Sequence, residues 1–161
     1  MWKAISRNAQ RPSMKQIQAI TFDLFGTVFD LKSTLLVSIT NYLCLKNSLT
    51  SPEDFWATWR ERQRIEQFQD SILMNGHSGY LTTAQRALLY TLRYYSISFS
   101  DTEVNKLMDE WQQLKMFPDV IAELTKLHSL YKLVVLSNGD KWFLDHLVKE
   151  CIDFEFDEVI S

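Results

Sequence analysis

The chain has 161 residues, of which 46% are hydrophobic, and is therefore long and apolar enough to form one domain with a buried core. Its formal net charge of −3 gives no sign of the basic surface that nucleic-acid binding requires, and no apolar run approaches the ~20 residues of a membrane span. Two cysteines, Cys44 and Cys151, have neither metal-type nor secreted-type spacing, which favours a reducing, cytoplasmic location.

Residues 1–16 form a basic leader that contains Lys3, Arg7, Arg11 and Lys15 and no acidic residue. We expect a tail without regular structure before the first strand. A weak organelle-targeting signal is the alternative that this charge bias leaves open.

The segment from Ala19 to Asp30 carries the strongest chemical signal in the chain. Its β-branched, apolar start predicts a short buried strand that ends at Asp23, and open α/β sheets place their chemistry at the carboxyl ends of central strands. Gly26 allows a sharp turn directly afterwards. A carboxylate in this position can act as a nucleophile and form an ester or acyl-phosphate intermediate. The alternative is an ordinary strand-to-turn connection in which Asp23 only binds backbone amides.

A long helical region follows this strand. Helices are predicted from about residue 33 to 46, from Pro52 onwards with Ser51 as N-cap, over about 82–95, and from Asp101 after a capping box that Ser100 begins. Apolar and aromatic residues recur in the second of these helices near helical spacing, namely Phe55, Trp56, Trp59, Ile65, Phe68 and Ile72.

Strand and helix signals then alternate to the end of the chain. A helix is predicted over 120–128, a buried strand over 132–136, a helix over 142–149 and a third strand over 157–161. Ser137, Asn138 and Gly139 follow the second strand directly. An ordinary strand-to-helix connection also favours these three residue types, so the segment alone does not establish a site.

The order of these elements predicts an α/β fold. We expect a Rossmann-like parallel sheet, incomplete at the C-terminal side, with a helical cap inserted after the first strand. The core would comprise residues 17–31 and 118–161, and the cap residues 32–117. Asp23 and Ser137-Asn138 would then lie side by side at one edge of the sheet, beneath the cap.

The chain resembles the haloacid dehalogenase superfamily of hydrolases, and within it the type II 2-haloacid dehalogenases. The motifs that carry the likeness are Phe22 to Asp30, Trp59-Arg60, Phe117 to Val120, Leu136 to Gly139 and Phe156 to Ser161. The resemblance implies a hydrolase that converts an (S)-2-haloacid and water to a 2-hydroxy acid and halide through an aspartyl-ester intermediate. It implies a small anionic substrate, no metal and no cofactor, and it is compatible with a homodimer.

The resemblance also implies roles for individual residues. Asp23 would be the nucleophile, and Thr27 would support its loop. The substrate carboxylate would bind to Ser137, Asn138 and the backbone amides of Leu24 and Phe25.

Arg60 would receive the halide or the carboxylate from the cap. Its permanently charged, fork-shaped guanidinium suits an anionic group. Arg62 and Arg64 lie close by on the same predicted helix. A solvated basic face formed by all three arginines is therefore the alternative interpretation.

Phe25 bears on the type of reaction. Phosphatases of the resembled superfamily usually carry a second aspartate two residues after the nucleophile, which protonates the departing alkoxide. Phe25 cannot donate a proton, whereas a halide leaves without one. This position therefore favours dehalogenation, with a phosphatase-like member of the same superfamily as the alternative.

The likeness ends at Ser161. Members of the superfamily continue into a lysine that stabilises the nucleophile and into polar residues that position the hydrolytic water. Lys141 and Lys149 lie in the helix after Asn138 and cannot replace that lysine. We therefore expect a C-terminally truncated member with impaired turnover, in which the first strand is an exposed edge. A non-catalytic remnant or interaction module is the remaining alternative.

Overall fold

The computed structural model describes residues 17–74 and 76–161, so the tail predicted for residues 1–16 lies outside the described residues. The strands are β1 (Ala19–Phe22), β2 (Lys132–Leu136) and β3 (Glu158–Ile160). The helices are α1 (Leu31–Leu45), α2 (Pro52–Ile72), α3 (Tyr80–Tyr94), α4 (Asp101–Asp109), α5 (Val120–His128) and α6 (Lys141–Cys151), and a 3-10 turn over Glu110–Gln113 follows α4. This order confirms the predicted α/β fold with helices inserted after the first strand.

The three strands form a parallel sheet in the order β1-β2-β3. Phe22 pairs with Val135, and Val134 pairs with Glu158. Within the described residues β1 therefore lies at an edge, as expected for the incomplete sheet. The expectation that Asp23 follows a central strand is not met, because no described segment pairs with the edge of β1 that faces away from β2.

Strand β2 has one buried and one exposed face. Leu133 and Val135 are fully buried, whereas Leu136 on the opposite face keeps 51% of its surface exposed. Helix α5 packs against β2 and α6 against β3. Alternation of side chains along a strand explains this split, since successive residues point to opposite faces.

Side-chain caps set where the first helices begin. Asp30 accepts a hydrogen bond from the Ser33 amide (3.0 Å), and α1 therefore starts two residues before the predicted boundary. Ser51 accepts from the Asp54 amide (3.0 Å), as predicted for α2. The predicted capping box at Ser100 is also present.

Aromatic side chains pack the inserted helices together within one core that also includes the sheet. Trp59 is fully buried, donates from Nε1 to the carbonyl of Ala84 (2.7 Å) and lies 5.9 Å, centroid to centroid, from Trp111. These contacts join α2, α3 and the 3-10 turn after α4. Buried aromatic groups of this size account for much of the apolar area that such a helical layer removes from water.

The apolar residues of α2 are buried in its first half and exposed in its second half. Ile65, Phe68 and Ile72 have helical spacing, yet they are 40%, 66% and 75% exposed. Helix α2 packs against α1 and α3, and these three residues remain on its exposed side. None of the described helices combines the length and the hydropathy needed to cross a membrane.

Substitutions at two leucines of β2 test this sheet. Leu133→Ala should lower the free energy of unfolding by about 2–5 kcal/mol, because it opens a cavity in the covered layer. Leu136→Ala on the exposed face should change it by less than about 0.5 kcal/mol. Urea unfolding followed by circular dichroism measures both values. Equal losses for the two variants would contradict the one-sided burial.

Candidate active site

The Asp23 carboxylate is exposed at the end of β1 and is held by a residue from the next strand. Its Oδ1 accepts a hydrogen bond from Ser137 Oγ at 2.7 Å. Ser137 is buried, and its backbone amide donates to the carbonyl of Ile160 (3.2 Å). The parallel register of β1 with β2 brings the two residues together, because both strands end at the same edge.

The loop after Asp23 folds back on itself. The amides of Val28 and Phe29 both donate to the carbonyl of Leu24, at 3.1 and 2.9 Å, and the Gly26 amide donates to the carbonyl of Phe29 at 3.0 Å. Gly26 has a φ of +89°, a backbone conformation that other residues adopt only with strain. The Leu24 amide points at Ser137 Oγ over a long 3.5 Å contact. The Asp23 carboxylate and the Leu24 amide therefore both approach the Ser137 hydroxyl.

The side chains of Thr27 and Asn138 are not part of the hydrogen bonds that join Asp23, Ser137 and Leu24. Both side chains are exposed, and neither forms a hydrogen bond with another described residue. Thr27 lines a separate cavity of about 300 Å³ together with Phe22 and Phe117. Their roles in supporting the loop and binding the substrate stay predictions.

Phe25 forms a wall between the sheet and the inserted helices. Its ring stacks on Tyr80 with centroids 4.1 Å apart and planes at 11°, and Phe143 lies 5.8 Å away. A Cβ at Gly139 would lie 3.0 Å from Phe25 Cε2 and 2.6 Å from Leu144 Cδ2. Glycine at position 139 is therefore what allows the ring of Phe25 to lie against the end of β2.

Arg60 approaches from α2 and is partly buried among aromatic rings. Its guanidinium carbon lies 5.6 Å from the Trp56 ring and 5.8 Å from the Trp111 ring. Nη1 donates to Gln63 Oε1 and to the Tyr80 hydroxyl, the latter at 3.3 Å. Cation–π contacts of this kind stabilise the charge without neutralising it.

The three neighbouring arginines have different surroundings. Arg62 forms an ion pair with Glu66 (2.5 Å) and lies 4.6 Å from the Tyr90 ring, and Arg64 is exposed. Arg60 has no carboxylate within 4.0 Å among residues 17–74 and 76–161. A partly buried guanidinium without an anionic partner is suited to binding an anion.

Tyr80 links these groups, and sequence reasoning did not identify it. Burial raises the pKa of Tyr80, the nearby positive charge of Arg60 opposes that shift, and the charge of Asp23 adds to it. The phenol therefore stays neutral at physiological pH.

Gln63 is a second residue of this region that sequence reasoning did not identify. It is fully buried, and its Nε2 has no partner among the described residues. Its position three residues after Arg60 on one helix is the only sequence signal for that contact.

A cavity of about 680 Å³ is lined by Phe25 and Gly26 of the loop after Asp23 and by Arg60 of α2. Its charged lining is mixed, since Lys32 and Arg64 occur beside the acidic residues Asp30, Glu53 and Glu61, and neither Asp23 nor Ser137 lines it. A strand-end carboxylate that is held by a hydroxyl can attack a bound substrate, and the α/β fold around it is similar to that of hydrolases of the haloacid dehalogenase type.

Comparison with known proteins agrees with this class. No family model matches the chain. The haloacetate dehalogenase H-2 of Moraxella sp. (strain B) is 29% identical over 150 residues, and the (S)-2-haloacid dehalogenase H-109 of Pseudomonas putida is 26% identical over 150 residues. Each alignment covers 92% of this chain and 64% of the relative. The chain thus spans just under two thirds of the length of the curated relatives that it matches.

Solved structures show the same likeness. A crystal structure of a dehalogenase matches with a TM-score of 0.78 at 26% identity, covering 92% of this chain and 64% of that one. The L-2-haloacid dehalogenase of Xanthobacter autotrophicus matches with a TM-score of 0.77 at 25% identity, covering 90% and 56%. The resemblance to 2-haloacid dehalogenases of the haloacid dehalogenase superfamily is therefore confirmed in sequence and in fold.

The pH dependence of stability tests the environment of Tyr80. The fold favours the neutral phenol, so its contribution is complete below the ordinary tyrosine value of 10.0 and is lost as pH rises through the raised pKa. Above about pH 10, where the phenol of the unfolded chain starts to lose its proton, the free energy of unfolding should fall more steeply with pH for the wild-type chain than for Tyr80→Phe. Tyr42, whose pKa is raised to about 12, is present in both proteins and cancels in the comparison.

Urea unfolding of the two proteins across roughly pH 8 to 11 measures these slopes. Parallel curves would show that the phenol of Tyr80 is not shielded in the folded chain.

Proposed function

We propose that this chain carries the covalent step of a 2-haloacid dehalogenase. An Asp23 carboxylate oxygen attacks C2 of an (S)-2-haloacid, the carbon–halogen bond breaks, and the halide leaves with the bonding electron pair. The product is an ester between Asp23 and the acid, with inverted configuration at C2. The observation that carries the proposal is the exposed Asp23 carboxylate, aligned by Ser137 Oγ at 2.7 Å.

Similar proteins with named activities support the proposal. Relatives that match over most of its length are named as (S)-2-haloacid dehalogenases. A second structure of the Xanthobacter autotrophicus enzyme holds chloropropionic acid covalently bound; it matches with a TM-score of 0.73 at 26% identity and covers 90% of this chain and 56% of that one. That covalent state is the counterpart of the ester proposed here.

Arg60 is proposed to bind the anionic end of the reaction, either the departing halide or the substrate carboxylate. The absence of a carboxylate partner within the described residues and the surrounding rings of Trp56 and Trp111 support this role. A guanidinium in a partly dry site interacts with an anion more strongly than it would in water.

Where Arg60 binds the halide, the substrate carboxylate is proposed to bind beside Asp23, at the ends of β1 and β2. Ser137, Asn138 and the backbone amides of Leu24 and Phe25 would hold it, and Thr27 would support the loop. The long 3.5 Å contact between the Leu24 amide and Ser137 Oγ leaves that amide available to a better acceptor.

Phe25 favours halide over phosphate as the leaving group. Its stacked ring occupies the position from which a second aspartate would protonate an alkoxide, and it shields the reacting carbon from water. A halide is a weak base and needs no proton.

Hydrolysis of the ester is proposed to be the slow step. Water must attack the Asp23 carbonyl carbon, which requires a base or a stabilised oxyanion. Within the described residues, Ser137 alone contributes a side-chain hydrogen bond to Asp23. We therefore expect the ester to accumulate.

Three further expectations stay proposals. The division into a core of residues 17–31 and 118–161 and a cap of residues 32–117 follows the element order. Exposed apolar side chains on α2, including Phe68 and Ile72, support a homodimer. The free thiols of Cys44 and Cys151 support a reducing, cytoplasmic compartment.

Intact-mass spectrometry tests the covalent step without requiring turnover. Incubation with (S)-2-chloropropionate should add the mass of one carboxyethyl group, and peptide mapping should place it on Asp23. Asp23→Asn has nearly the same shape but lacks the nucleophilic carboxylate, so it should gain no mass.

The (R)-enantiomer serves as a substrate control, because inversion at C2 requires backside attack. Folded wild-type chain that gains no mass and releases no chloride, or an adduct on another residue, would refute the nucleophile assignment.

Substitution of Arg60 tests the anion site. Arg60→Ala should raise the chloropropionate concentration that half-saturates ester formation by at least about tenfold, since a hydrogen bond to a charged group contributes about 1.5–3 kcal/mol. Arg60→Lys should have a half-saturating concentration between those of the wild-type chain and Arg60→Ala, because lysine keeps the positive charge but lacks the two parallel donors of the guanidinium. Arg64→Ala, an exposed arginine on the same helix, is the matched control. Equal behaviour of Arg60→Ala and Arg64→Ala would support the solvated basic face instead.

A further inference from the structure

Asp140 uses its backbone and its side chain for two different helices. Its carbonyl accepts hydrogen bonds from the amides of Phe143 (2.8 Å) and Leu144 (2.9 Å), which begins α6. Its carboxylate makes no capping bond to α6. Instead, Oδ2 accepts from the backbone amide of Tyr80 at 2.9 Å, across the boundary to the inserted helices.

The N-terminus of α3 depends on this contact. Gly79 is the N-cap of α3 and has no side chain that could bind the free amides. The Asp140 carboxylate supplies both the missing acceptor and a negative charge at the positive end of the helix. The fit is close, because a Cβ at Gly79 would lie 3.2 Å from Asp140 Oδ2, and the φ of Gly79 is +97°. His77 Nε2 lies 3.8 Å from the other carboxylate oxygen.

Tyr80 carries the effect of this contact into the candidate active site. Its amide is held by Asp140, its ring stacks on Phe25 at 4.1 Å, and its hydroxyl accepts from Arg60 at 3.3 Å. A shift of the first turn of α3 would therefore move the ring that faces the nucleophile loop and the group that orients the arginine.

We propose that Asp140 is a positioning residue: it caps α3 from the end of β2, fixes Tyr80 and thereby sets Arg60 against the nucleophile loop. The part that concerns Arg60 and substrate rests on the proposed function. The structural part, the fixing of Tyr80 by the carboxylate, is independent of it. No side chain that reacts with substrate is replaced in the tests below.

Amide hydrogen exchange in the native chain, resolved by NMR, tests the structural part. Asp140→Ser keeps a good N-cap for α6, but its side chain is one atom shorter and should not reach the Tyr80 amide. That amide should exchange at least tenfold faster in Asp140→Ser than in the wild-type chain, while amides of β2 keep their rates. Asp140→Asn retains an oxygen acceptor of the same length and should restore slow exchange.

The kinetics of ester formation with (S)-2-chloropropionate test the functional part. Asp140→Ser should raise the half-saturating concentration about fivefold and change the maximal rate less than twofold, because the nucleophile is untouched and the anion site is displaced. Asp140→Asn should recover most of the loss. Asp145→Ala, which removes an exposed carboxylate of α6 that pairs with Lys141, is the matched control and should change neither quantity.

Unchanged exchange of the Tyr80 amide in Asp140→Ser, or an Asp140→Asn variant as impaired as Asp140→Ser, would overturn the proposal. If the wild-type chain forms no ester, the proposed function fails by itself, and the exchange experiment still decides whether Asp140 positions Tyr80. If Asp140→Ser does not fold, Asp140→Asn alone remains decisive, since the proposal requires it to fold with a protected Tyr80 amide.

Discussion

The parallel register of β1 with β2 is the constraint on which the rest of the candidate site depends. Phe22 and Val135 are paired, so the next residues of the two strands leave the sheet at the same edge. Asp23 and Ser137 then lie within one hydrogen bond of each other, although 114 positions separate them in sequence. A shift of one residue would turn the buried Leu133 and Val135 toward solvent, so the apolar core itself resists the misalignment.

Aromatic packing joins the inserted helices to this edge of the sheet, in addition to the contact of Asp140 with α3. Phe25 belongs to the loop that carries Asp23, and its stacking on Tyr80 joins that loop to α3. Tyr80 in turn lies 5.6 Å, centroid to centroid, from Trp111, which packs against Trp59 of α2. Stacked and edge-to-face rings bury large areas with little loss of side-chain entropy, and so they hold two layers in a defined relative position.

Local sequence signals predicted most elements of the fold. Helix α5 and strand β2 have the predicted limits, because Pro118 breaks the chain before α5 and the run from Leu133 to Val135 is β-branched and apolar. The caps at Ser51 and Ser100 were equally readable, since each acts on an amide three residues away. Short-range chemistry of this kind is independent of the tertiary structure.

Features that depend on distant partners were beyond the same reasoning. The periodicity of α2 identified an apolar face, but the exposure of Phe68 and Ile72 depends on whether another element covers that face. Tyr80 meets Arg60 from 20 positions away and Asp140 from 60 positions away. Neither contact leaves a local signature, because a glycine before a helix and an aspartate after a strand are common on their own.

For the proposed reaction, the surroundings of Arg60 and Asp23 favour a small anion over a neutral substrate. The positive group is partly buried against Trp56 and Trp111 and has no carboxylate partner among the described residues, whereas the negative group is exposed and already accepts one hydrogen bond. An anionic substrate therefore gains most at the guanidinium, where water is partly excluded, and is repelled least where the Asp23 charge is solvated. Phe25 lines the same cavity as Arg60, and in the proposed reaction its ring offers an apolar surface to the substrate carbon. The proposed reaction would thus bind charge at one place and form the new bond at another, which a displacement between two anions requires.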